Sequence, residues 1–157
     1  MIDVQLLDNV AKKLREKGLS IATAESCTGG LLAHILTNIS GSSDYFYYGI
    51  ISYSNYSKIK LLDVPEETIK QYGAVSKQTA EAMAQGIKKI ADVNIGISTT
   101  GIAGPTGGSK EKPIGLVFIG IAYNENIYNK KFLFSGTRLQ IKDSTCNEAL
   151  KMILDLI

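Results

Sequence analysis

The stretch from residue 19 to residue 39 constrains the fold more than any other part of this chain. An apolar run, LSIATA, leads into the polar segment ESCTGG, and the apolar pattern LLAHILTNI follows directly. The first run predicts a short buried strand, and the last pattern predicts a helix over residues 29–39. A strand that turns straight into a helix is typical of α/β proteins, because parallel strands need a helical crossover between them.

The rest of the chain repeats these two patterns. Helices are predicted over residues 4–14, 29–39, 76–91 with Ser76 as N-cap, and 138–157. Residues 55–62 are predicted to form a short helix or turn, and Pro65 is predicted to open another short helix in its first position. Strands are predicted over residues 19–24, 47–53, 93–99, 114–123 and 127–134, the last two forming a hairpin. This order predicts a layered α/β/α sandwich around a mixed sheet of about five strands, with residues 1–157 as a single domain.

Composition excludes several classes of function. The 17 basic and 15 acidic residues are spread along the chain and leave a net charge of +2, which argues against a duplex nucleic-acid-binding surface. No apolar run reaches the roughly 20 residues of a membrane span, and the N-terminus lacks a signal peptide's apolar block, so we expect a cytoplasmic protein. Two cysteines and one histidine cannot supply a four-ligand zinc site, so neither a metal nor a cofactor is expected.

The turn at residues 26–28 carries three side chains that can act as nucleophiles. Because a helix follows, the backbone N–H groups of the turn lie at the positive end of a helix dipole, where they can stabilise an oxyanion or a phosphate. Serine and threonine are also ordinary helix caps, so the turn alone fits a structural role equally well. Cys27 competes with Ser26 as the nucleophile, because a helix N-terminus lowers the pKa of a thiol.

A serine nucleophile needs a base, and the only histidine is badly placed. His34 lies eight residues beyond Ser26, which is roughly 12 Å along a helix. Lysine is the known substitute, provided that its pKa is lowered to about 7–8. Lys58 follows an apolar strand in the segment SYSNYSK, five residues after Tyr53, although a solvated surface lysine is the other interpretation.

A glycine-rich segment, TTGIAGPTGGSKEKPIG at residues 99–115, is the third candidate. Glycines with interspersed hydroxyl side chains form backbone cradles for anions. The segment matches neither the Walker A order nor GxGxxG, so the glycine pattern alone is a weak signal. A long irregular loop in a small domain nevertheless favours a binding role. The candidate glycines are Gly101, Gly104, Gly107 and Gly108.

Taken together, these segments resemble the CinA C-terminal domain family, the nicotinamide mononucleotide deamidases. The matching motifs are TAESCTGG at residues 23–30, YSN..K at 53–58, YGAVS at 72–76, and TGIAGPTGG with KPIG up to residue 115. Their order and spacing cover most of the chain. The chain resembles the form of this domain that stands alone, without the additional N-terminal domain of longer relatives.

The resemblance implies hydrolysis of the carboxamide of nicotinamide mononucleotide to nicotinate mononucleotide and ammonia, without a metal. Ser26 would be the nucleophile, Lys58 its base and Tyr53 a hydrogen-bonding partner. Backbone N–H groups of Cys27, Thr28 and Gly29 would form the oxyanion hole. The loop from Gly101 to Gly108 would hold the nucleotide, with Thr100 and Arg138 near its phosphate. The family also implies a homo-oligomer.

Two other functions stay open at this point. One is a nucleotide-binding or competence- and damage-related regulatory module without turnover, and the other is a hydrolase of a different small amide. The chain departs from the residues common in the family at Tyr56, Ser57, Thr106 and Thr137. None of these departures touches the expected nucleophile or base, so they bear on affinity and not on the class of reaction.

Overall fold

The computed structural model describes all 157 residues. Six α-helices occur at Val4–Glu16 (α1), Leu31–Thr37 (α2), Asn55–Leu62 (α3), Glu66–Tyr72 (α4), Lys77–Ala91 (α5) and Arg138–Leu156 (α6). Five strands occur at Ile21–Glu25 (β1), Phe46–Ile51 (β2), Ile95–Gly101 (β3), Leu116–Tyr123 (β4) and Asn126–Leu133 (β5). A short 3-10 turn, Ser42–Asp44, precedes β2.

All five strands join one mixed sheet in the order β2-β1-β3-β4-β5. The strand β1 runs parallel to both of its neighbours, β2 and β3, whereas β4 runs antiparallel to both of its neighbours, β3 and β5. A core of 23 buried residues joins α1, α2 and α6 to one face, and a smaller core of 8 residues joins α3, α4 and α5 to the other. The predicted α/β/α sandwich with a mixed sheet is therefore confirmed.

Two predicted helix starts are wrong, for different local reasons. The helix α2 begins at Leu31 and not at residue 29, because Gly29 and Gly30 have φ values of +62° and +96°, which a right-handed helix does not contain. Pro65 is the N-cap of α4 and not its first residue, because its ψ of 129° is extended. The predicted N-cap of α5, Ser76, is confirmed by its acceptance of the Thr79 N–H.

The topology opens a crevice at one edge of the sheet. From β1 the chain passes through α2 to β2, and from β2 it passes through α3, α4 and α5 on the opposite face to β3. The chain leaves β1 towards β2 and leaves β3 towards β4, which lie on opposite sides of the β1–β3 pair. Ligands of open α/β sheets bind at such a switch point, beyond the carboxyl ends of the strands. None of the helices has the length and apolar character needed to cross a membrane.

Candidate active site

Ser26 sits immediately beyond β1, on the turn into α2. Its N–H donates to the carbonyl of Thr99 at 2.9 Å, which extends the pairing of β1 with β3 by one residue. The carbonyl of Ser26 accepts the N–H of Gly29 at 3.2 Å, which closes the turn. The side chain is 9% exposed, so its hydroxyl is desolvated on most sides.

Lys58 reaches Ser26 from the neighbouring connection between β2 and α3. The helix α3 is fixed at its start by a capping box between Ser54 and Ser57, so Lys58 is held in the first turns of a defined helix. Its Nζ lies 2.9 Å from Ser26 Oγ and also donates to the carbonyls of Ser52 at 2.8 Å and Tyr53 at 3.4 Å. The alternative that Lys58 is a solvated lysine is wrong, because its side chain is 1% exposed.

Burial changes the acid–base behaviour of Lys58. Desolvation lowers the pKa of its ammonium from 10.5 to about 8, because the charged form loses its hydration. None of the ion pairs in the structure includes Lys58, so no carboxylate restores the charged form. A pKa of about 8 leaves about a tenth of the lysine neutral at pH 7. The pair can therefore exchange a proton in the physiological range.

Ser26 and Lys58 face a cavity of about 270 Å³ at the crevice. This volume is just below the range of about 300–1,000 Å³ that is typical of small-molecule sites. Two cationic side chains, Lys58 and Arg138, face the cavity, and no Asp or Glu does. The lining residues are Ser26, Cys27, Tyr53, Asn55, Lys58, Ala74, Val75, Thr100, Gly101, Ile102, Ala103, Gly104, Thr106, Gly107 and Arg138.

Most of the predicted site residues therefore meet in one place, and three do not. Thr28, Gly29 and Gly108 lie outside the lining. Thr28 is fully buried, and its hydroxyl donates to Glu25 Oε2 at 2.6 Å. Sequence analysis did not name Asn55 or the backbone at residues 74–75 as site residues, whereas Thr106 lies within the loop predicted to hold the nucleotide. Asn55 belongs to the YSN..K motif, which was the only signal for it.

The glycines of the loop serve different purposes. Gly104 and Gly107 have φ values of +72° and +88°, so the loop needs glycine at both positions. Gly101 and Gly108 are instead close-packed: a Cβ at Gly101 would lie 2.6 Å from the Leu116 carbonyl oxygen, and one at Gly108 would lie 2.9 Å from the backbone of Ile114. Gly108 is therefore a packing residue of the loop and not part of the predicted nucleotide cradle.

Arg138 and Tyr53 bridge the two sides of the cavity. Arg138, the first residue of α6, donates to the carbonyl of Gly104 at 2.7 Å and to the hydroxyl of Tyr53 at 2.8 Å. The Tyr53 hydroxyl makes no hydrogen bond to Lys58, which contacts only the carbonyl of this residue. Thr100 donates its hydroxyl hydrogen to the carbonyl of Ala74 at 2.7 Å, so that hydrogen is committed within the protein.

The expected free donors at the start of α2 are already occupied. The N–H groups of Gly30, Leu32 and Ala33 donate to the carboxylate of Glu25 at 2.7–3.0 Å. The Gly29 N–H is committed to Ser26, so the prediction that Gly29 contributes to an oxyanion hole is wrong for this geometry. The N–H groups of Cys27 and Thr28 donate to no acceptor in the chain.

Cys27 is not an activated thiol. Burial raises its pKa to about 12, which outweighs the helix-start effect expected from the sequence. The other cysteine, Cys146, is also buried with a raised pKa, and both cysteines are free. No group of three or more His, Cys, Asp or Glu side chains that could hold a metal ion occurs in the structure. His34 is exposed and lies outside the cavity.

The fold and the site define a mixed α/β domain with a buried serine–lysine pair at a cationic crevice. The chain matches the CinA C-terminal domain over residues 3–157, and it belongs to this family. A competence-damage inducible protein of Thermoanaerobacter pseudethanolicus is 48% identical over 97% of this chain. A CinA-like protein of Chloroherpeton thalassium is 48% identical over 99% of it. The chain spans only 37% and 38% of the lengths of these two relatives.

Solved structures show the same fold. The crystal structure of competence/damage inducible protein CihA from Agrobacterium tumefaciens has a TM-score of 0.94 and 40% identity, and the match covers 97% of this chain and 93% of that one. The competence damage-inducible protein A from Klebsiella pneumoniae has a TM-score of 0.93 and 30% identity, over 96% of this chain and 94% of that one. The expected family membership is therefore confirmed, and the names themselves specify no reaction.

Proposed function

We propose that this domain hydrolyses the carboxamide of nicotinamide mononucleotide to nicotinate mononucleotide and ammonia. The observation that carries the proposal is the contact between Lys58 Nζ and Ser26 Oγ at 2.9 Å, made by a lysine that is 1% exposed and has no carboxylate partner. Serine activated by a desolvated lysine is one of the known arrangements for acyl transfer.

The geometry supports the following sequence of steps. Neutral Lys58 takes the hydroxyl proton of Ser26, and Oγ forms a bond to the carbonyl carbon of the amide. The N–H group of Cys27, which has no acceptor in the chain and borders the cavity, is the available donor to the resulting oxyanion, whereas Thr28 is fully buried outside the cavity. Lys58 returns the proton to the amide nitrogen, the C–N bond breaks and ammonia leaves. Water then hydrolyses the acyl-enzyme, with Lys58 again as the base.

The charge of the cavity supports an anionic substrate. Lys58 and Arg138 are its charged groups, and Arg138 uses only two of its five N–H donors within the protein. We assign the phosphate of the mononucleotide to Arg138 and the loop around Gly104 and Gly107. The hydroxyl of Thr100 donates to the Ala74 carbonyl and therefore ties the end of β3 to the segment between α4 and α5, in place of donating to the phosphate.

The proposal includes the setting in which the domain acts. Residues 1–157 form one amidohydrolase unit that works in the cytoplasm as a homo-oligomer. Exposed apolar side chains on the edge strand β2 and beside it support self-association, among them Tyr47 at 60% and Ile51 at 56% exposure. Sedimentation at several concentrations tests this part, and a monomer at every concentration would contradict it.

Ammonia release from nicotinamide mononucleotide, measured without added metal, tests the reaction. The wild type is compared with Ser26→Ala, Lys58→Met, Cys27→Ala and Lys60→Met, the last being an exposed lysine of the same helix. We expect loss of turnover in the first two variants only. Loss in Cys27→Ala alone would move the nucleophile by one residue. A wild type that binds the nucleotide without turnover would favour the regulatory module, and release from another amide would favour a different hydrolase.

A further inference from the structure

Glu25 is a buried carboxylate directly before the proposed nucleophile. Its side chain is 1% exposed, and both oxygens accept hydrogen bonds from the turn and from α2. Oε2 accepts the Thr28 hydroxyl at 2.6 Å and the N–H groups of Gly30 and Leu32 at 3.0 Å each. Oε1 accepts the Ala33 N–H at 2.7 Å. Four donors therefore converge on one carboxylate.

No cation shares this carboxylate. None of the five ion pairs in the structure includes Glu25. Its charge is balanced by the positive end of the α2 dipole and by neutral donors, which is a sufficient reason for a carboxylate to be stable inside a protein. Glu25 does not line the cavity, so it does not touch the substrate or the reacting atoms.

The backbone of Glu25 reaches the other half of the proposed catalytic pair. Its carbonyl accepts the N–H of Ser52 at 2.8 Å, and the carbonyl of Ser52 accepts Lys58 Nζ at 2.8 Å. The side chain of Glu25 thus fixes the start of α2, while its main chain fixes the segment that orients the lysine. Ser26 lies between these two connections.

This arrangement determines which N–H groups remain for an oxyanion. The carboxylate takes the donors of Gly30, Leu32 and Ala33, which would otherwise form an anion site at the start of the helix. The N–H of Cys27, which lines the cavity with Ser26, is left without an acceptor in the chain.

We propose that Glu25 is a positioning residue for acyl transfer: its carboxylate anchors the turn at residues 26–29 to α2, so that the Cys27 N–H group faces the oxyanion formed at Ser26. The inference rests on the proposed amidase function. A residue that acts in this way affects the rate of the chemical step and leaves substrate binding and the titration of Lys58 unchanged.

Two measurements test the proposal on the full chain. The first is steady-state ammonia release from nicotinamide mononucleotide across pH. The second is labelling of Ser26 by an alkyl fluorophosphonate, followed by intact mass. In that reaction Oγ bonds to phosphorus, fluoride leaves and Lys58 accepts the hydroxyl proton. The phosphoryl oxygen needs the same oxyanion donor, but the reaction needs no nucleotide, so it separates this inference from the choice of substrate.

The variants are Glu25→Gln, Glu25→Asp and Thr28→Val. Glutamine keeps the size but replaces one acceptor by a donor that opposes the N–H groups of α2, and we expect a fall of about 100-fold in both kcat and the labelling rate, as for loss of an oxyanion donor. KM and the pH at half-maximal activity should stay at the wild-type values. Aspartate keeps the charge but is one methylene shorter, and Thr28→Val removes one of the four donors, so both should give smaller losses.

Ser98→Ala is the matched control. Ser98 is fully buried on β3 and donates to the Ala80 carbonyl at 2.6 Å, away from the cavity, so its loss lowers stability without reaching the turn. We expect Ser26 in the Ser98→Ala variant to be labelled at the wild-type rate. A folded Glu25→Gln that labels and turns over like the wild type would overturn the proposal, as would a fall in rate that merely follows Tm as in Ser98→Ala. If Glu25→Gln does not fold, an unchanged labelling rate in Thr28→Val overturns it.

The two measurements also keep the two proposals apart. Labelling of wild-type Ser26 without ammonia release would reject the amidase, while the ratio of labelling rates would still decide the role of Glu25. Ammonia release with no effect of Glu25→Gln on either rate would reject the positioning role alone. A wild type that neither labels nor turns over would overturn both.

Discussion

Two buried ionisable side chains flank the turn at Ser26, and they lie in opposite environments. Glu25 at the end of β1 and Lys58 in α3 are each 1% exposed. Glu25 accepts four hydrogen bonds and sits at the positive end of a helix. Lys58 contacts one hydroxyl and two carbonyls and has no counter-charge.

The difference between these two environments indicates that Glu25 stabilises the scaffold and that Lys58 provides reactivity. A buried carboxylate whose oxygens all accept hydrogen bonds holds its surroundings in place, whereas a buried ammonium without a counter-charge has a lowered pKa. Lys58 has this second behaviour, with a pKa lowered to about 8 by burial. Its instability as an ammonium ion is what makes it a base.

The largest expected effect is on turnover in Lys58→Met. Methionine has a similar length but accepts no proton, so the Ser26 hydroxyl loses its base, and we expect kcat/KM for ammonia release to fall by about 1,000-fold or more. The double variant with Ser26→Ala should be no worse than either single variant, because the two residues act as a unit. Additive losses in the double variant would contradict a shared step.

The next effect is on stability, where the two charges should respond with opposite signs. Glu25→Ala leaves three backbone donors and one hydroxyl without their acceptor, and we expect the free energy of unfolding to fall by about 3 kcal/mol or more. Lys58→Met removes a buried ammonium whose pKa is lowered from 10.5 to about 8, which corresponds to about 3 kcal/mol. The carbonyls of Ser52 and Tyr53 lose their donor, which offsets part of this gain. We therefore expect the free energy of unfolding to rise by about 1–2 kcal/mol at pH 7.

Urea denaturation as a function of pH checks the cause of that gain. Below pH 8 the lysine is charged in both the folded and the unfolded protein, so the full cost of burial is present. Between about pH 8 and 10.5 the folded protein releases the proton before the unfolded one, so wild-type stability rises with pH. The advantage of Lys58→Met should therefore shrink across this window. An advantage that is constant with pH would mean that packing, not charge, is responsible.

Much of this architecture could be predicted from the sequence, and the reasons for the rest are physical. Residue types and apolar periodicity located the five strands and the longer helices, Pro65 indicated the short helix α4, and the strand–turn–helix segment placed Ser26 at the carboxyl edge of the sheet. The pairing of Glu25 with the start of α2 was not predicted, because sequence spacing shows that a carboxylate precedes a helix but not that its side chain turns back onto it. The raised pKa of Cys27 was also missed, since burial depends on α6 and β3, which are distant in sequence.

A smaller effect is expected in the pH dependence of turnover. Because neutral Lys58 is the active form and its pKa is about 8, kcat/KM should rise about tenfold from pH 7 to pH 9. Glu25 makes no contact with Lys58 through its side chain, so Glu25→Gln should lower the whole profile without moving it. A profile that is flat from pH 6 to 9 would show that the lysine is not the titrating base. A profile that shifts in Glu25→Gln would show that the two charges are coupled.

The smallest effect is expected in Tyr53→Phe. This change removes the hydroxyl that accepts from Arg138 at 2.8 Å but keeps the carbonyl that accepts from Lys58. Lys58 contacts the Ser26 hydroxyl and two main-chain carbonyls but not the Tyr53 hydroxyl, so its pKa should not change and kcat should stay within about twofold of wild type. Loss of one exposed hydrogen bond to Arg138 should raise KM by about threefold. Tyr48→Phe, an exposed tyrosine outside the cavity, is the matched control. A fall in kcat of tenfold or more with unchanged KM would place the Tyr53 hydroxyl in the proton transfer itself. The comparison of the hydrogen-bonded carboxylate of Glu25 with Lys58, which is held only by neutral groups, would then have to include Tyr53 as a third group.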